Sequence, residues 1–199
     1  YQMVDGLVGS EMCIRDRYGT ENSRAMRPIW TAEEMGLEYE LIMMPFPPRV
    51  FMKEYLEVNM LGTIPYLIDG DVKMTESVAM TQYLVEKYGP TDLRVMPDER
   101  DYPSYLNWLY HSDATLTFPQ TVVLRYKFQE PGVADAAIEG YSRWFVSRLK
   151  LLESALEDKE YLCSNRFTIA DICVSYAINL AGSLGCLLYT SPSPRDHQP

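Results

Sequence analysis

Cysteine, histidine, basic charge and long apolar runs are all scarce in this sequence. With 4 cysteines and 2 histidines in 199 residues, no disulfide framework is expected, and thiolate and imidazole ligands for a metal are few. The 28 acidic residues outnumber the 18 basic ones, and the net charge is -10. Such a chain repels phosphates, so nucleic acid and anionic membranes are poor partners. No apolar run approaches the roughly 20 residues of a bilayer span. A cytoplasmic protein is therefore expected.

The two ends of the chain are related to each other as nucleic acid. With suitable codons, Met3–Arg17 reverse-translates to a DNA strand whose complement, in another frame, spells Cys186–Pro199 residue for residue. The shared stretch resembles a tag from a shotgun-sequencing library. We therefore interpret residues 1–17 and 186–199 as non-native, and expect the gene fragment to run from Tyr18 to about Gly185.

Setting the ends aside leaves two cysteines and one histidine, and the acidic excess persists. Cys163 and Cys173 are expected to be inert packing residues. His111 has no visible partner ligands, and one histidine alone cannot make a zinc site. No metal is expected.

The apolar pattern of the remaining chain predicts two domains. An α/β domain is expected over residues 18–89, a linker rich in proline, aspartate and arginine over 90–101, and an incomplete all-helical domain over 102–185.

The expected elements of the first domain alternate between helix and strand. In order they are helix Arg24–Met35, a short buried strand Tyr39–Met43, a short helix Phe51–Val58, a hairpin of Tyr66–Ile68 and Val72–Met74, and helix Ser77–Tyr88. The first helix is indicated by Met26, Ile29, Trp30 and Met35, which recur at helical spacing, and Gly36 supplies a stop. A βαβ unit needs one more strand in front, parallel to the second. Met12–Arg15 is the segment that stands in its place.

The second domain is expected to contain only helices. Two of them are Tyr102–Tyr126 and Ala134–Leu156. The last begins at a predicted capping box of Thr168 and Asp171. Its continuation, Ile172–Leu184, is apolar on most sides, which predicts a central place in a bundle.

The most specific local pattern lies between Asn59 and Met80. Ile64–Pro65 is expected to be a cis bond at the mouth of a strand, leaving the Ile64 N–H and C=O to pair with an extended peptide. Glu76 and Ser77 open a helix, where they can hold an α-ammonium and an α-carboxylate. Together they suit a short anionic peptide. A proline at a strand start and a capped helix are also common without such a function.

This segment resembles the glutathione-binding half of the cytosolic glutathione S-transferase superfamily. Tyr18–Pro28 and Glu33–Glu40 are similar to the family's first loop and helix, and Phe167–Ile172 resembles the capping box of its second domain. The resemblance covers almost all of Tyr18–Gly185. It implies a thioredoxin-like N-terminal domain followed by an all-α helical-bundle domain.

The resemblance also implies roles for the residues of the first domain. Ile64 would pair with the cysteinyl backbone of glutathione beside a cis Pro65, and Glu76 and Ser77 would hold the γ-glutamyl group. Met60 and Gly62 depart from the family pattern, so the glycyl end of glutathione has no assigned partner.

The thiol-activating residue is expected in the loop before the first helix. Ser23 is the chosen catalytic residue, because a hydroxyl there would donate a hydrogen bond to the sulfur and favour the thiolate. Thr20 and Asn22 are the alternatives, and Asn22 is also a candidate glutathione ligand. Ser23 could instead serve only as the helix N-cap.

Tyr105, Trp108 and Ser112 are the candidates for the substrate pocket, by analogy with the long helix that faces it in the family. Packing in the core or in a dimer is the alternative use of each.

The implied function is conjugation of the glutathione thiolate, as co-substrate, to a small electrophile in a detoxifying homodimer. The alternatives are a non-catalytic protein-binding module of the same fold and a glutathione-dependent reductase or lyase. Because the missing strand and helices would leave apolar faces exposed, the chain as given is expected to aggregate or to be inactive.

Overall fold

A computed structural model describes residues 10–13 and 23–189. The chain forms two compact units that divide between Arg94 and Val95. This division falls inside the segment expected to be a linker. The domain limits given above stay a prediction.

The first unit combines a four-stranded sheet with helices. Its elements are β1 (Ser10–Cys13), α1 (Met26–Glu34), β2 (Tyr39–Ile42), α2 (Pro48–Phe51), α3 (Tyr55–Val58), β3 (Tyr66–Asp69), β4 (Val72–Met74) and α4 (Ser77–Lys87). The strand order is β2-β1-β3-β4. β1 runs parallel to β2 and antiparallel to β3, and β3 and β4 form the predicted hairpin. The strand expected in front of α1 is thus present. It lies at Ser10–Cys13, within the segment interpreted as non-native, and it overlaps the expected Met12–Arg15 only at Met12 and Cys13.

Two expectations for the segment between α1 and β3 are wrong. The predicted strand at Tyr39–Met43 is not buried, because β2 is an edge strand, and Leu41 and Ile42 are each 37% exposed. The predicted helix Phe51–Val58 is two short helices, α2 and α3. They are separated at Met52, whose φ of -142° and ψ of 79° are not helical.

The buried face of α1 does not coincide with the apolar residues that indicate the helix in the sequence. The buried residues of α1 are Arg27, Pro28, Thr31 and Ala32. Of the apolar residues at helical spacing, Ile29 and Met35 pack only at the margin of the core, and Met26 and Trp30 are half-buried. The small residues Ala25 and Ala32 share the core with Leu67, Met80 and Leu84. Small side chains allow α1 to pack closely against α4.

Asp69, at the end of β3, ties the hairpin to α4. Its Oδ2 accepts hydrogen bonds from Tyr83 at 2.8 Å, from Lys87 at 2.7 Å and from Tyr88 at 2.7 Å. Burial acts to raise the pKa of Asp69, but these hydrogen bonds outweigh it and the pKa is lowered. The carboxylate therefore stays ionised and fixes the hairpin on the helix.

The second unit is helical in its described part. Its elements are α5 (Tyr102–Tyr110), a π-helical segment His111–Thr117, α6 (Phe118–Leu124), a π-helical segment Arg125–Gln129, α7 (Asp135–Ala155), α8 (Ile169–Leu184) and a 3₁₀ turn Cys186–Tyr189.

The helix predicted at Tyr102–Tyr126 is a continuous helical stretch, but part of it is π-helical. Pro119 supplies a physical reason, since it has no N–H to bond the carbonyl one turn before it. Thr117 Oγ1 donates to the Ser112 carbonyl across the same turn, at 2.7 Å.

α8 begins at the predicted capping box, which is confirmed. Asp171 Oδ2 accepts from the Thr168 N–H at 2.8 Å and from the Thr168 hydroxyl at 2.9 Å. The helix is buried along most of its length and packs against α5 and α6, as expected for a central helix. It ends at Gly185, whose φ of 73° is left-handed.

A polar clamp surrounds the start of α8. The Glu99 carboxylate accepts two hydrogen bonds from Arg166, at 2.8 and 2.7 Å. Asp101 accepts from the Ser164 N–H at 2.8 Å, and Asp171 Oδ1 accepts from the Leu162 N–H at 2.9 Å. The clamp joins the segment before α5 to the loop before α8.

Candidate functional site

Ser23 lies just before α1 and is 7% exposed. Its carbonyl accepts the Met26 N–H at 3.0 Å. Its hydroxyl is buried and has no hydrogen-bond partner among the described residues, and it makes no side-chain cap to α1. A buried hydroxyl without a partner is costly, and a ligand atom could satisfy it. Thr20 and Asn22 lie outside the described residues.

The Ile64–Pro65 bond is cis, as the sequence predicted. The residue before it is held from two sides, because the Thr63 carbonyl accepts from the Tyr55 hydroxyl at 3.0 Å and from Asn59 Nδ2 at 2.9 Å. Within residues 23–189, the Ile64 N–H and C=O make no backbone hydrogen bond. They are therefore available to an extended ligand.

Gly62 allows the loop before Ile64 to pack closely on α2. Its φ is +56°, and an added Cβ would lie 2.6 Å from the Cβ of Arg49. A larger residue at this position would therefore displace the loop. This is a structural reason for one of the departures from the family pattern.

Glu76 and Ser77 stand at the start of α4. Glu76 is exposed, has an extended backbone, and its side chain makes no cap hydrogen bond. Ser77 is 4% exposed and is the first residue of the helix. First-turn N–H groups have no partner within their own helix and favour an anion there. The arrangement can hold a carboxylate beside a cation.

Arg27 is the residue of this region that sequence reasoning missed. Its side chain is 0% exposed, and its Nη1 donates to Ser77 Oγ at 3.0 Å. The bond joins α1 to the first residue of α4. A local signal was present, because Arg27 lies four residues before Thr31 and thus shares a helical face with it.

Tyr105, Trp108 and Ser112 lie in the second unit and are 1%, 5% and 0% exposed. The Ser112 hydroxyl donates to the Leu109 carbonyl at 2.6 Å. Such burial suits core packing, the alternative weighed for these residues. Their role in a substrate pocket stays a prediction.

His111 opens the first π-helical segment and contacts the Trp108 ring, with ring centroids 5.2 Å apart. Burial, and to a smaller extent the charge of Arg148, lower the pKa of His111. The imidazole is therefore neutral at pH 7.

Cys163 and Cys173 are buried, and neither forms a disulfide among the described residues. Burial raises the pKa of Cys163 to about 12, so its thiolate is not populated at neutral pH. In the part of the chain that the structure describes, no cluster of three or more His, Cys, Asp or Glu residues could bind a metal ion. No helix of that part is long and apolar enough to cross a membrane.

Comparison with known proteins shows similarity to glutathione S-transferases. The sequence profile of the glutathione S-transferase N-terminal domain matches residues 18–92. Glutathione S-transferase 2 of Schizosaccharomyces pombe is 31% identical over 162 residues, which cover 77% of this chain and 69% of that protein.

Two solved structures share the fold. The glutathione transferase URE2P6 of Phanerochaete chrysosporium, in complex with oxidized glutathione, has a TM-score of 0.76 and 28% identity, covering 94% of this chain and 84% of that one. The nitrogen regulation fragment of the yeast prion protein Ure2p has a TM-score of 0.78 and 20% identity, covering 92% and 87%.

These likenesses confirm the predicted fold class, a thioredoxin-like domain followed by an all-helical domain. The chain belongs to the glutathione S-transferase family.

Proposed function

We propose that the protein binds glutathione and transfers its thiolate to a small electrophile. The observation that carries the proposal is the open start of α4, where exposed Glu76 precedes buried Ser77. The cation and anion of a γ-glutamyl group complement these two residues. Membership of the family supports the same ligand.

Each candidate residue has a separate task in this proposal. The Ile64 N–H and C=O pair with the cysteinyl backbone beside Pro65. The Ser23 hydroxyl donates to the sulfur, which lowers the pKa of the thiol and raises the fraction of thiolate. Tyr105, Trp108 and Ser112 contribute to the apolar pocket that takes the electrophile.

The partners and location are part of the same proposal. We propose a cytoplasmic homodimer that acts in detoxification. Apolar side chains on α2 and in the loop after α3 support a protein partner, since Val50 and Phe51 are each 57% exposed and Met60 is 85% exposed. Sedimentation velocity should give twice the monomer mass, and a monomer at micromolar concentration would reject the dimer.

Isothermal titration calorimetry with reduced glutathione tests the binding step. We expect saturable heat with the wild-type protein and at least tenfold weaker binding with Glu76→Ala. Glu54→Ala, which removes an exposed carboxylate elsewhere in the first unit, is the matched control and should bind as wild type. Absence of heat at millimolar glutathione would reject the proposal.

A non-catalytic protein-binding role is the second candidate. The fold similarity to the nitrogen regulation fragment of Ure2p supports this candidate. A protein with the same fold can act in regulation, so the fold does not by itself require transfer chemistry. A single-turnover assay with an aryl halide separates the two. Conjugate should form if the protein is a transferase, and glutathione binding without conjugation of any electrophile tested would favour the second candidate.

A further inference from the structure

The last turn of α4 carries a polar and aromatic cluster, at the end of the helix that does not contribute to the candidate glutathione site. The ammonium group of Lys87 donates to Asp69 Oδ2 at 2.7 Å and to the Tyr83 hydroxyl at 2.9 Å. It also lies 5.2 Å from the centroid of the Tyr88 ring. A carboxylate, a hydroxyl and an aromatic ring therefore surround one cation.

The contacts of the two tyrosines with this cation differ in kind. Lys87 Nζ lies 5.3 Å from the Tyr83 ring centroid but 2.9 Å from its hydroxyl oxygen, so the contact with Tyr83 is a hydrogen bond. Tyr88 presents its ring, and a ring within about 6 Å attracts a cation through its negative face. Because an ammonium group only donates, the Tyr83 hydroxyl must accept from Lys87. The cluster thus uses N–H groups and favours a primary ammonium over a fully methylated one.

The groups that surround the cation are also joined to one another without the lysine. The two tyrosine hydroxyls donate to Asp69 Oδ2, at 2.8 Å from Tyr83 and at 2.7 Å from Tyr88. Asp69 ends β3 and pairs with Val72 across the hairpin, whereas Tyr83 belongs to α4 and Tyr88 is its C-cap. The carboxylate, the hydroxyl and the ring therefore keep their places when the lysine side chain leaves.

Lys87 and Asp69 differ in their access to solvent. The side chain of Lys87 is 42% exposed and that of Asp69 is 10% exposed. The lysine can therefore swing into water on its flexible stem, but the carboxylate stays in place and loses its counter-charge. A mostly buried charge without a partner is costly, so a second cation is stabilised there. The net charge of -10 also attracts cations to the chain.

We propose that Asp69, Tyr83 and Tyr88 form a binding site for a small primary alkylammonium ion, and that Lys87 occupies this site as an internal competitor. The ion makes the same three contacts as the lysine, with the carboxylate, the hydroxyl and the ring. A tethered group competes at an effective concentration of roughly millimolar, so a free amine displaces Lys87 only above that level. The inference goes beyond glutathione transfer and does not depend on it.

The test opens the site and then refills it. Lys87→Ala removes the competitor, and n-butylammonium chloride supplies the ammonium group with the alkyl chain that the variant lacks. The readout is the midpoint of thermal unfolding, Tm, because a ligand that binds only the folded state raises it. Potassium chloride and tetramethylammonium chloride at equal concentration are the ion controls. Lys53→Ala, which removes an exposed lysine of the first unit, is the matched control variant.

We expect Lys87→Ala to unfold at a lower Tm than wild type and to recover at least half of the loss in n-butylammonium, with saturation in the millimolar range. Wild type should need at least tenfold more amine for a shift beyond that of salt, and Lys53→Ala should behave as wild type. Adding Asp69→Asn to Lys87→Ala should abolish the recovery. A recovery no larger than that in potassium chloride overturns the inference, and so does an equal recovery in tetramethylammonium.

Wild-type protein gives an independent readout if Lys87→Ala does not fold. In nitrogen-15 NMR of labelled lysine, the Lys87 ammonium should exchange its protons more slowly than that of exposed Lys53, because it is hydrogen-bonded. Excess n-butylammonium should speed this exchange towards the Lys53 rate, and potassium chloride should not. A Lys87 signal that n-butylammonium leaves unchanged overturns the inference. Glutathione is absent from both experiments, so failure of the proposed function would leave these results unaffected.

Discussion

The N-termini of α4 and α8 differ in whether side chains of the protein cap them. At α8, Asp171 accepts the N–H and hydroxyl of Thr168 and the N–H of Leu162, so the capping groups are satisfied within the protein. At α4, Glu76 makes no side-chain cap, and Ser77 is bonded from behind by Arg27. We call a helix start sealed when side chains of the protein cap it, and open when they do not. A sealed start contributes stability, whereas an open start keeps hydrogen-bonding groups that a ligand can use.

The largest effect on stability is expected from removing the Asp171 side chain, which caps the start of α8. Asp171→Ala leaves the backbone N–H groups of Leu162 and Thr168 without their acceptor, and each buried donor left unmet costs on the order of 1–3 kcal/mol. The free energy of unfolding should fall by about 3 kcal/mol in urea denaturation followed by circular dichroism. Asp158→Ala, an exposed aspartate of the same unit, is the control. A loss as small as that of the control would show that the capping box is not stabilising.

In the candidate glutathione site, Ser23→Ala should lower the rate of the transfer reaction without changing the affinity for glutathione. The single-turnover rate with an aryl halide should fall at least tenfold, because the sulfur loses the donor that favours thiolate. Glutathione affinity and the midpoint of thermal unfolding should stay near wild type, since the hydroxyl has no partner among the described residues. An unchanged rate would move the role to Asn22 or Thr20.

The Glu99–Arg166 pair of the polar clamp should make the stability of the second unit decrease at acidic pH. Hydrogen bonds from Arg166 lower the pKa of Glu99 from its ordinary 4.5 to about 2. A carboxylate with a lowered folded pKa contributes stability that is present above pH 4.5 and lost as the pH falls towards 2. The urea midpoint should therefore decline across this interval, and less steeply in Arg166→Met. Identical pH profiles for the two proteins would contradict the assignment.

The smallest effect is expected at an exposed ion pair. Arg143 and Glu139 lie one turn apart on α7, with side chains 61% and 53% exposed. Such pairs contribute under about 0.5 kcal/mol. Glu139→Gln should leave the urea midpoint within error of wild type, and a loss comparable to that of Asp171→Ala would undermine the contrast between buried and exposed polar groups.

Much of the fold could be read from local patterns. The capping box, the hairpin around Gly70 and the cis Ile64–Pro65 bond each depend on neighbouring residues, and the structure has all three. The strand β2 was predicted to be buried and is exposed, and the apolar spacing of α1 does not mark the face that the helix buries. Burial depends on which element packs on which face, and apolar spacing within one segment does not contain that information.

The residues of the candidate site also differ in whether local sequence identifies them. Glu76, Ser77, Ile64 and Pro65 were identified from the sequence because they are close to one another in the chain, although their roles stay predictions. Arg27 was missed because its partner Ser77 is 50 residues away.

The sequence alone determined the family resemblance, the order of a sheet-forming and a helical region, and the sealed start of α8. Each of these follows from local spacing and backbone chemistry. Only the tertiary structure decided that α1 turns an arginine inward and that this arginine reaches the first residue of α4. The physical reason is that burial and long-range hydrogen bonds arise when helices pack, and a linear pattern does not specify the face at which they meet.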